Sequence, residues 1–402
     1  MNLSTLGERG APARVLGEEA VAELLTATRE PRALPGLAYT SPELFEWERQ
    51  RIFQHGWVPV GRVADYADKG SQAAVMSAGR NVLVAGTGEG VNVFVNACRH
   101  RGHELVTQSC KVRRAQVWCA YHAWVYGLDG ALRSAPRFEE LAETDPRGLG
   151  LLPVRSAEWN GWLFVNHSGD APNFPTSLGN LTTVLDAYQL GELRRVGTEE
   201  YEVEANWKLI VENYLECYHC PSTHPELSKV QRTVNGEGFT STGLWLGGSL
   251  DLKNSADTMS LNGSGPTWAF PKLDEDRARQ VCYYAVLPGL FITAMHDYVV
   301  THRLDPLAPD RTRVICEWFF SDELLDSRGF KPDYAVDFWK TTNLQDWAAC
   351  SSTQRGVSDS RYVAGPLAPN EEELRTFLQA LADAYERDAG LRPLWSAEEH
   401  NA

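Results

Sequence analysis

The chain has 402 residues, with 38 Lys and Arg against 53 Asp and Glu, a formal net charge of −15, and 43% hydrophobic residues including 13 Trp. That length points to two domains with sizeable cores, and the acidic balance counts against a nucleic-acid partner, whose phosphates need clustered Lys and Arg. No apolar run reaches the length of a membrane span, and eight cysteines in so long a chain are not a disulfide framework.

The N-terminus carries Glu8, Glu18 and Glu19 rather than a basic-then-apolar leader, so a cytoplasmic protein is expected. The first forty residues read as a mobile arm with one helix over Gly17–Thr28. Ser41-Pro42-Glu43 then marks a helix start, a capping serine followed by Pro in the first turn. Residues 57–170 read as short strands separated by Gly-rich turns, among them Gly86-Thr87-Gly88-Glu89-Gly90, with Trp162-Leu163-Phe164-Val165-Asn166 closing the block. Pro172, Pro175 and nearby Gly and Asn residues set a domain boundary between 168 and 180.

Two pairs stand out in this first domain: Cys98-Arg99-His100 and Cys119-Ala120-Tyr121-His122. Each supplies one thiolate and one imidazole, which suits a Rieske [2Fe-2S] centre, where two cysteines hold one iron and two histidines the other. Cys2His2 is also a zinc-finger ligand set. The order here is Cys-His then Cys-His, however, and the flanks are strand-like. Val91-Asn92-Val93-Phe94-Val95 leads into the first pair, and Trp124-Val125-Tyr126 leads from the second to the hairpin signal Asp129-Gly130. Cys110, Cys217, Cys220, Cys282, Cys316 and Cys350 are expected to be reduced, half-buried packing residues, the C-x-x-C pair Cys217/Cys220 included.

The second domain is mixed. Helices are expected over 206–220 and 333–355, and strands over 281–287, 290–304 and 312–321. A final helix starts from Asn370 as cap, with Glu373 three residues on and Leu374, Phe377, Leu378, Leu381 and Tyr385 along one face. On the 206–220 helix, Trp207, Ile210, Val211, Tyr214, Leu215 and Tyr218 make an apolar face, while Glu212, Glu216 and His219 line another stripe. Pro221 should end that helix and turn the chain, which could bring His224 beside His219. Two imidazoles and a carboxylate make the facial triad of a non-haem Fe(II) oxygenase. Glu216 or a distant acid could complete it, and these residues alone leave that open. His55, His103, His296 and His302 read as structural.

The stretches Asn96-Ala97-Cys98-Arg99-His100-Arg101-Gly102 and Asn206-Trp207-Lys208 through Glu216-Cys217-Tyr218-His219-Cys220 to His224-Pro225 closely resemble the oxygenase (alpha) subunits of Rieske non-haem iron oxygenases. The likeness runs from about Glu46 to the last helix. It implies an α+β chain: an N-terminal all-β Rieske domain over 56–170, and a helix-grip (START-like) catalytic domain of antiparallel sheet and helices over 171–402, with an arm at 1–55 packing on the latter. It implies that Cys98, His100, Cys119 and His122 hold the cluster and that His219 and His224 ligate a mononuclear iron. The third ligand is then an acid on a downstream helix. Asp346, within Thr342-Asn343-Leu344-Gln345-Asp346-Trp347, is the matching position, with Asp333, Asp337 and Asp359 as alternatives. Glu216 takes the bridging role, linking cluster ligand His122 to iron ligand His219 across a subunit boundary in a head-to-tail homotrimer. Electrons from NAD(P)H would arrive through a separate flavin/iron–sulfur reductase, because this chain shows no nucleotide-binding Gly motif, and O2 would be the cosubstrate.

Three positions depart from the family's commonest pattern. Ala120 stands where many relatives have Pro, Ala123 where they have Gly, and Glu216 where the best-known ring-dihydroxylating members have Asp. Glu at that place is similar to the branch acting on quaternary ammonium compounds such as carnitine, choline and betaines, as are Glu212-Asn213-Tyr214 and Asp297-Tyr298-Val299-Val300-Thr301-His302. The implied activity is hydroxylation or N-demethylation of a small substrate of that class. Oxidation of an aromatic or natural-product substrate is the alternative, and a Rieske electron carrier or a zinc-stabilised binding module are the non-enzyme readings. A cation pocket would draw on aromatic faces; Trp245, Trp268, Tyr283, Tyr284 and Tyr298 are candidates, each more simply a core residue.

Overall fold

The computed structural model describes residues 22, 24–26, 30–112, 115–137, 146–234 and 236–392. The chain divides into two compact units, Gln54–Ala171 and Met1–Phe53 with Pro172–Ala402. Most of the arm and helix expected over residues 1–40 lies outside the described residues. From residue 30 onward the segment is described, with Leu34 and Tyr39 buried.

The unit Gln54–Ala171 is built from β1 (Val58–Arg62), β2 (Ser71–Ser77), β3 (Arg80–Gly86), β4 (Val91–Val95), β5 (Cys110–Lys111), β6 (Gln116–Trp118), β7 (Val125–Gly127), β8 (Leu132–Ser134), β9 (Arg155–Trp159) and β10 (Trp162–Asn166). They form three antiparallel sheets with orders β4-β3-β2-β5, β6-β7-β8 and β1-β10-β9. β10 is central in its sheet and buried along its whole length, which explains its unbroken apolar run where an edge strand would alternate. The Asp129-Gly130 turn joins β7 to β8. Gly130 has φ +78°, and a Cβ there would lie 2.4 Å from the Phe94 ring, so only glycine fits. Leu83, Phe94, Val117, Trp124 and Tyr126 fill the core beneath the two cysteine–histidine loops.

The other unit is a seven-stranded antiparallel sheet covered by helices. Its strands are β11 (Arg194–Val203), β12 (Glu237–Gly238), β13 (Trp245–Asp251), β14 (Gln280–Val286), β15 (Leu290–Ala294), β16 (Val299–Ala308) and β17 (Arg311–Phe320), in the order β11-β17-β16-β15-β14-β13-β12. The helices that matter here are α1 (Pro42–Glu48), α2 (Trp207–Tyr214), α3 (Cys220–Thr223), α4 (Asp333–Val357) and α5 (Glu372–Arg387). α4 packs against α2 and β11. Trp318, Phe320, Phe338 and Trp339 lie in the core between sheet and helix. Ser41 caps α1, its hydroxyl accepting the Leu44 N–H at 3.1 Å, with Pro42 in the first turn.

Four expectations need correction. The helix expected over 206–220 ends at Tyr214, six residues early. The run expected as one strand over 290–304 is two, β15 and β16, joined by a turn in which the Met295 N–H donates to the Tyr298 carbonyl at 3.0 Å. Asp297 sits in that turn, fully buried, accepting the hydroxyls of Thr258 and Tyr334 at 2.8 and 2.6 Å; the β-branched residues on either side mask it in the sequence. α5 starts at Glu372 with Glu371, not Asn370, at the cap position, because the Glu371 carboxylate turns back to accept the Ala368 N–H. Finally, Cys217 and Cys220 are joined in a disulfide. With α2 ended, the segment between them is a turn that holds their Cα atoms 4.9 Å apart, within disulfide reach.

Candidate metal centres and cavity

The two cysteine–histidine pairs sit in similar tight loops. In the first, the Cys98 N–H donates to the His103 carbonyl at 2.8 Å and the Gly102 N–H to the Cys98 carbonyl at 2.9 Å. In the second, the Cys119 N–H donates to the Trp124 carbonyl at 2.8 Å and the Ala123 N–H to the Cys119 carbonyl at 3.0 Å. Each loop turns through a left-handed residue, Gly102 at φ +73° and Ala123 at φ +57°. That conformation is why glycine is the commoner choice at the second position and why alanine there carries some strain.

Cys98 and Cys119 are buried, while His100 is exposed and His122 partly so. The two imidazoles face each other with Nδ1 to Nδ1 at 3.2 Å, and the His100 ring stacks on Trp124 at 5.0 Å between centroids. Burial pushes the Cys119 thiol up, while the backbone N–H groups of Tyr121 and His122 point at its sulfur and favour the thiolate. The Tyr126 hydroxyl lies 3.1 Å from the Cys98 sulfur. Neighbouring buried sulfurs and a convergent pair of imidazole nitrogens are the donors a [2Fe-2S] group with mixed ligation requires.

In the other unit, Asn206 caps α2, its Oδ1 accepting the Lys208 N–H at 3.0 Å. The helix stops because Glu216 folds back. Its carboxylate accepts the N–H groups of Tyr218 and His219, the latter at 3.1 Å, offering the backbone an alternative to the next helical turn. Pro221 then opens α3 rather than closing α2. Of the stripe Glu212, Glu216 and His219, only Glu212 is on the helix.

This turn presents His219 to His224, which follows α3, and to Asp346 in the middle of α4. His219 Nε2 lies 3.1 Å from His224 Nε2 and 3.4 Å from Asp346 Oδ1, and His224 Nε2 lies 2.9 Å from the same oxygen. Their donor atoms all fall within 4.8 Å of one another, as one ion would need; Asp333, Asp337 and Asp359 have no part in the group. Burial pulls the His219 pKa down, but the Asp346 and Glu216 carboxylates outweigh it and push it up to about 9. Asp346 is held below the usual range: burial opposes this, and hydrogen bonds from both imidazoles prevail. A two-histidine, one-carboxylate set fits a mononuclear non-haem iron.

Two supporting residues were not singled out from the sequence. Gln345 Oε1 accepts from His224 Nδ1 at 2.8 Å, which leaves Nε2 free to ligate. Asn213 Nδ2 lies 3.3 Å from His219 Nε2. Both are chain neighbours of residues already of interest, and only the fold shows which way they reach. His55 pairs with Asp170 at 3.1 Å and His302 with Asn343 at 2.9 Å, and neither joins a ligand group among the described residues.

The triad opens onto a cavity of about 380 Å³, within the range of small-molecule sites. One wall is aromatic: Tyr214 stacks on Phe291 at 4.1 Å, and Tyr283 meets Tyr214 edge-on at 5.9 Å. Of the five aromatic candidates read from the sequence, only Tyr283 lines this cavity. Trp245, Tyr284 and Tyr298 are fully buried in the core, and Trp268 packs on it.

Residues 56–145 match the model of the Rieske [2Fe-2S] domain and residues 190–387 that of the ring hydroxylating alpha subunit (catalytic domain). The chain is 27% identical over 401 residues to the glycine betaine monooxygenase oxygenase subunit of Chromohalobacter salexigens, covering 88% of this chain and 86% of that one. It is 34% identical over 203 residues to the carnitine monooxygenase oxygenase subunit of Escherichia coli K12, covering 50% and 54%. The fold matches a quaternary ammonium Rieske monooxygenase solved with L-carnitine, at a TM-score of 0.73 and 21% identity, over 90% of this chain and 97% of that one.

Proposed function

The chain belongs to the Rieske non-haem iron oxygenases, and from that premise we propose that it is the oxygenase component of a monooxygenase that hydroxylates or N-demethylates a small N-methylated ammonium compound. The family's cofactors are a [2Fe-2S] cluster and a mononuclear iron, which when bound supply single electrons and the activation of O2. We assign the cluster to Cys98, His100, Cys119 and His122, and the iron to His219, His224 and Asp346.

The remaining work falls to the chain's own groups. Gln345 fixes the His224 tautomer, and Glu216 fixes His219 from its other nitrogen at 2.5 Å. That contact supports Glu216 as the bridge carrying electrons from His122 of a neighbouring copy in a homotrimer. A separate reductase draws on NAD(P)H. Tyr214, Phe291 and Tyr283 shape the cavity that seats substrate and excludes water. A cytoplasmic location is part of this reading, and no helix among the described residues is long and apolar enough to cross a membrane.

The observation that carries the substrate class is the aromatic wall beside the triad, because ring faces attract an ammonium cation. Hydroxylation of an N-methyl carbon gives a hemiaminal that releases formaldehyde. The test is a substrate panel with a surrogate reductase, scoring NADH use coupled to formaldehyde release. Coupled turnover of an aromatic acid with no response to any methylammonium compound overturns this reading in favour of aromatic oxidation.

A further inference from the structure

The lining of the cavity is unbalanced in charge. Besides Asp346 and Glu216 it includes Glu237, Glu372 and Glu373, and among its described lining residues there is no Lys or Arg. Asp346 and Glu216 are engaged with the histidines. The other three carboxylates have no ion-pair partner among the described residues, and they come from two separate elements, β12 and the first turn of α5.

Glu373 is the most telling of these. It is partly buried, and its Oε1 occupies the space over Gly238, 2.6 Å from where a Cβ would stand. The missing side chain at Gly238 is what lets this carboxylate lie against β12 beside the cavity. Glu237 precedes that glycine and Glu372 precedes Glu373, so three carboxylates from two elements line the cavity along with the aromatic wall and the triad.

That pattern discriminates within the ammonium class. Glycine betaine and carnitine, named for the relatives above, each carry a carboxylate that must be seated along with the ammonium. Here such a carboxylate would meet like charge with no cation to pair it, and an unpaired charge in a partly desolvated cavity is costly. A net cation meets only attraction, from the aromatic faces and from the carboxylates.

We propose that the cavity selects a net-cationic N-methylated amine that has no carboxylate of its own, and rejects carboxylated zwitterions; this rests on the ammonium reading of the preceding subsection. Glu373 and Glu237 are the specificity-determining residues, and Gly238 is the positioning residue that admits Glu373.

Calorimetric titration of the holoenzyme tests this without turnover. The probes are choline, glycine betaine, carnitine and the neutral isostere 3,3-dimethylbutan-1-ol. Choline should bind tighter than either zwitterion and the isostere by about tenfold or more, with the margin shrinking as salt rises. Glu373→Gln should narrow the choline-to-betaine ratio several-fold. Glu237→Gln, at an exposed position, should do the same and serves as the second variant if the first is poorly folded. Zwitterions binding as tightly as choline, or ratios unmoved in both folded variants, overturn this inference and leave the ammonium reading standing. Binding of no ammonium probe at all overturns both.

Discussion

Glu216 Oε1 lies 2.5 Å from His219 Nδ1 while Nε2 of the same ring faces His224 and Asp346, so one imidazole joins a carboxylate to the metal-ligand group through its two nitrogens. The same carboxylate accepts the backbone N–H groups of Tyr218 and His219. Glu216 therefore has a structural task, shaping the turn, beside the electron-bridging role we propose for it. Gln keeps the acceptor for the backbone and loses the charge. Glu216→Gln should retain both metal centres while slowing reoxidation of the reduced cluster in a single turnover by about 10- to 100-fold. Wild-type rates in a fully loaded variant would reject the bridge.

Asp346 is the carboxylate within reach of both imidazoles. Asp346→Ala should lose the mononuclear iron and nearly all turnover while the visible spectrum of the cluster persists, since Cys98, His100, Cys119 and His122, the ligands we propose for the cluster, lie in a separate unit. Asp333→Ala, Asp337→Ala and Asp359→Ala should leave iron content unchanged. Metal analysis beside the absorption spectrum decides it, and loss of iron from any of the latter three would displace Asp346.

The sequence made some of this legible and concealed the rest for identifiable reasons. The two cysteine–histidine loops could be read because short-range strand and turn signals bracket them, from Val91–Val95 to Gly130. The apolar face of α5 follows from its periodicity, and Leu374, Phe377, Leu378, Leu381 and Tyr385 are all buried. The end of α2 could not be read, because the competitor for its backbone is a side chain, Glu216, in a stretch whose residues keep helical spacing. The turn at Met295–Tyr298 was masked by strand formers on both sides. Which aromatics face the cavity depends on the register of β13 to β15, and periodicity alone cannot assign that. Trp245 and Tyr284 point into the core, whereas Tyr283, one residue from Tyr284, reaches the cavity because successive strand residues face opposite ways.

The Tyr126 hydroxyl sits 3.1 Å from the Cys98 sulfur and also accepts the Arg99 N–H at 3.1 Å. A hydrogen bond to a cluster ligand sulfur stabilises the more negative, reduced state and so raises the reduction potential. Tyr126→Phe should lower the potential by about 60 mV for each ~1.4 kcal/mol of that preference lost. Protein-film voltammetry measures it directly, and an unchanged potential would show that the hydroxyl does not act on the cluster.

Lys208 and Glu48 form an ion pair with both side chains fully buried, the ammonium 2.7 and 2.8 Å from the two carboxylate oxygens. The Trp207 indole and the Tyr385 hydroxyl also donate to Glu48, at 2.8 and 2.6 Å, tying α1, α2 and α5 together. Removing one partner strands a buried charge. Lys208→Ala or Glu48→Ala should each cost about 3–5 kcal/mol, seen as a lowered Tm or as insoluble expression. An apolar replacement of both, Glu48→Leu with Lys208→Met, should recover only part of the loss, since the Trp207 indole and the Tyr385 hydroxyl are left without their acceptor. A mild effect of either single change would show that water reaches the pair.

Glu212 is partly buried beside this network, accepting the Tyr39 hydroxyl at 3.0 and 3.1 Å, and desolvation of its carboxylate pushes its pKa up to about 8. An acid whose folded pKa is raised keeps its proton in the native state while the unfolded chain loses it near the ordinary value of 4.5. Between those limits the folded state binds more protons, so stability is fully present below 4.5 and falls as pH rises toward 8, by up to about 1.4 kcal/mol per pH unit. Above that range this group adds no further slope. Glu212→Gln preserves an acceptor for Tyr39 and cannot ionise, so it should be the more stable protein at pH 8 and close to wild type near pH 4.5. Denaturation curves of the pair across that interval give the difference directly, and parallel pH profiles would place an ionised carboxylate at Glu212, paired with the Lys208 ammonium.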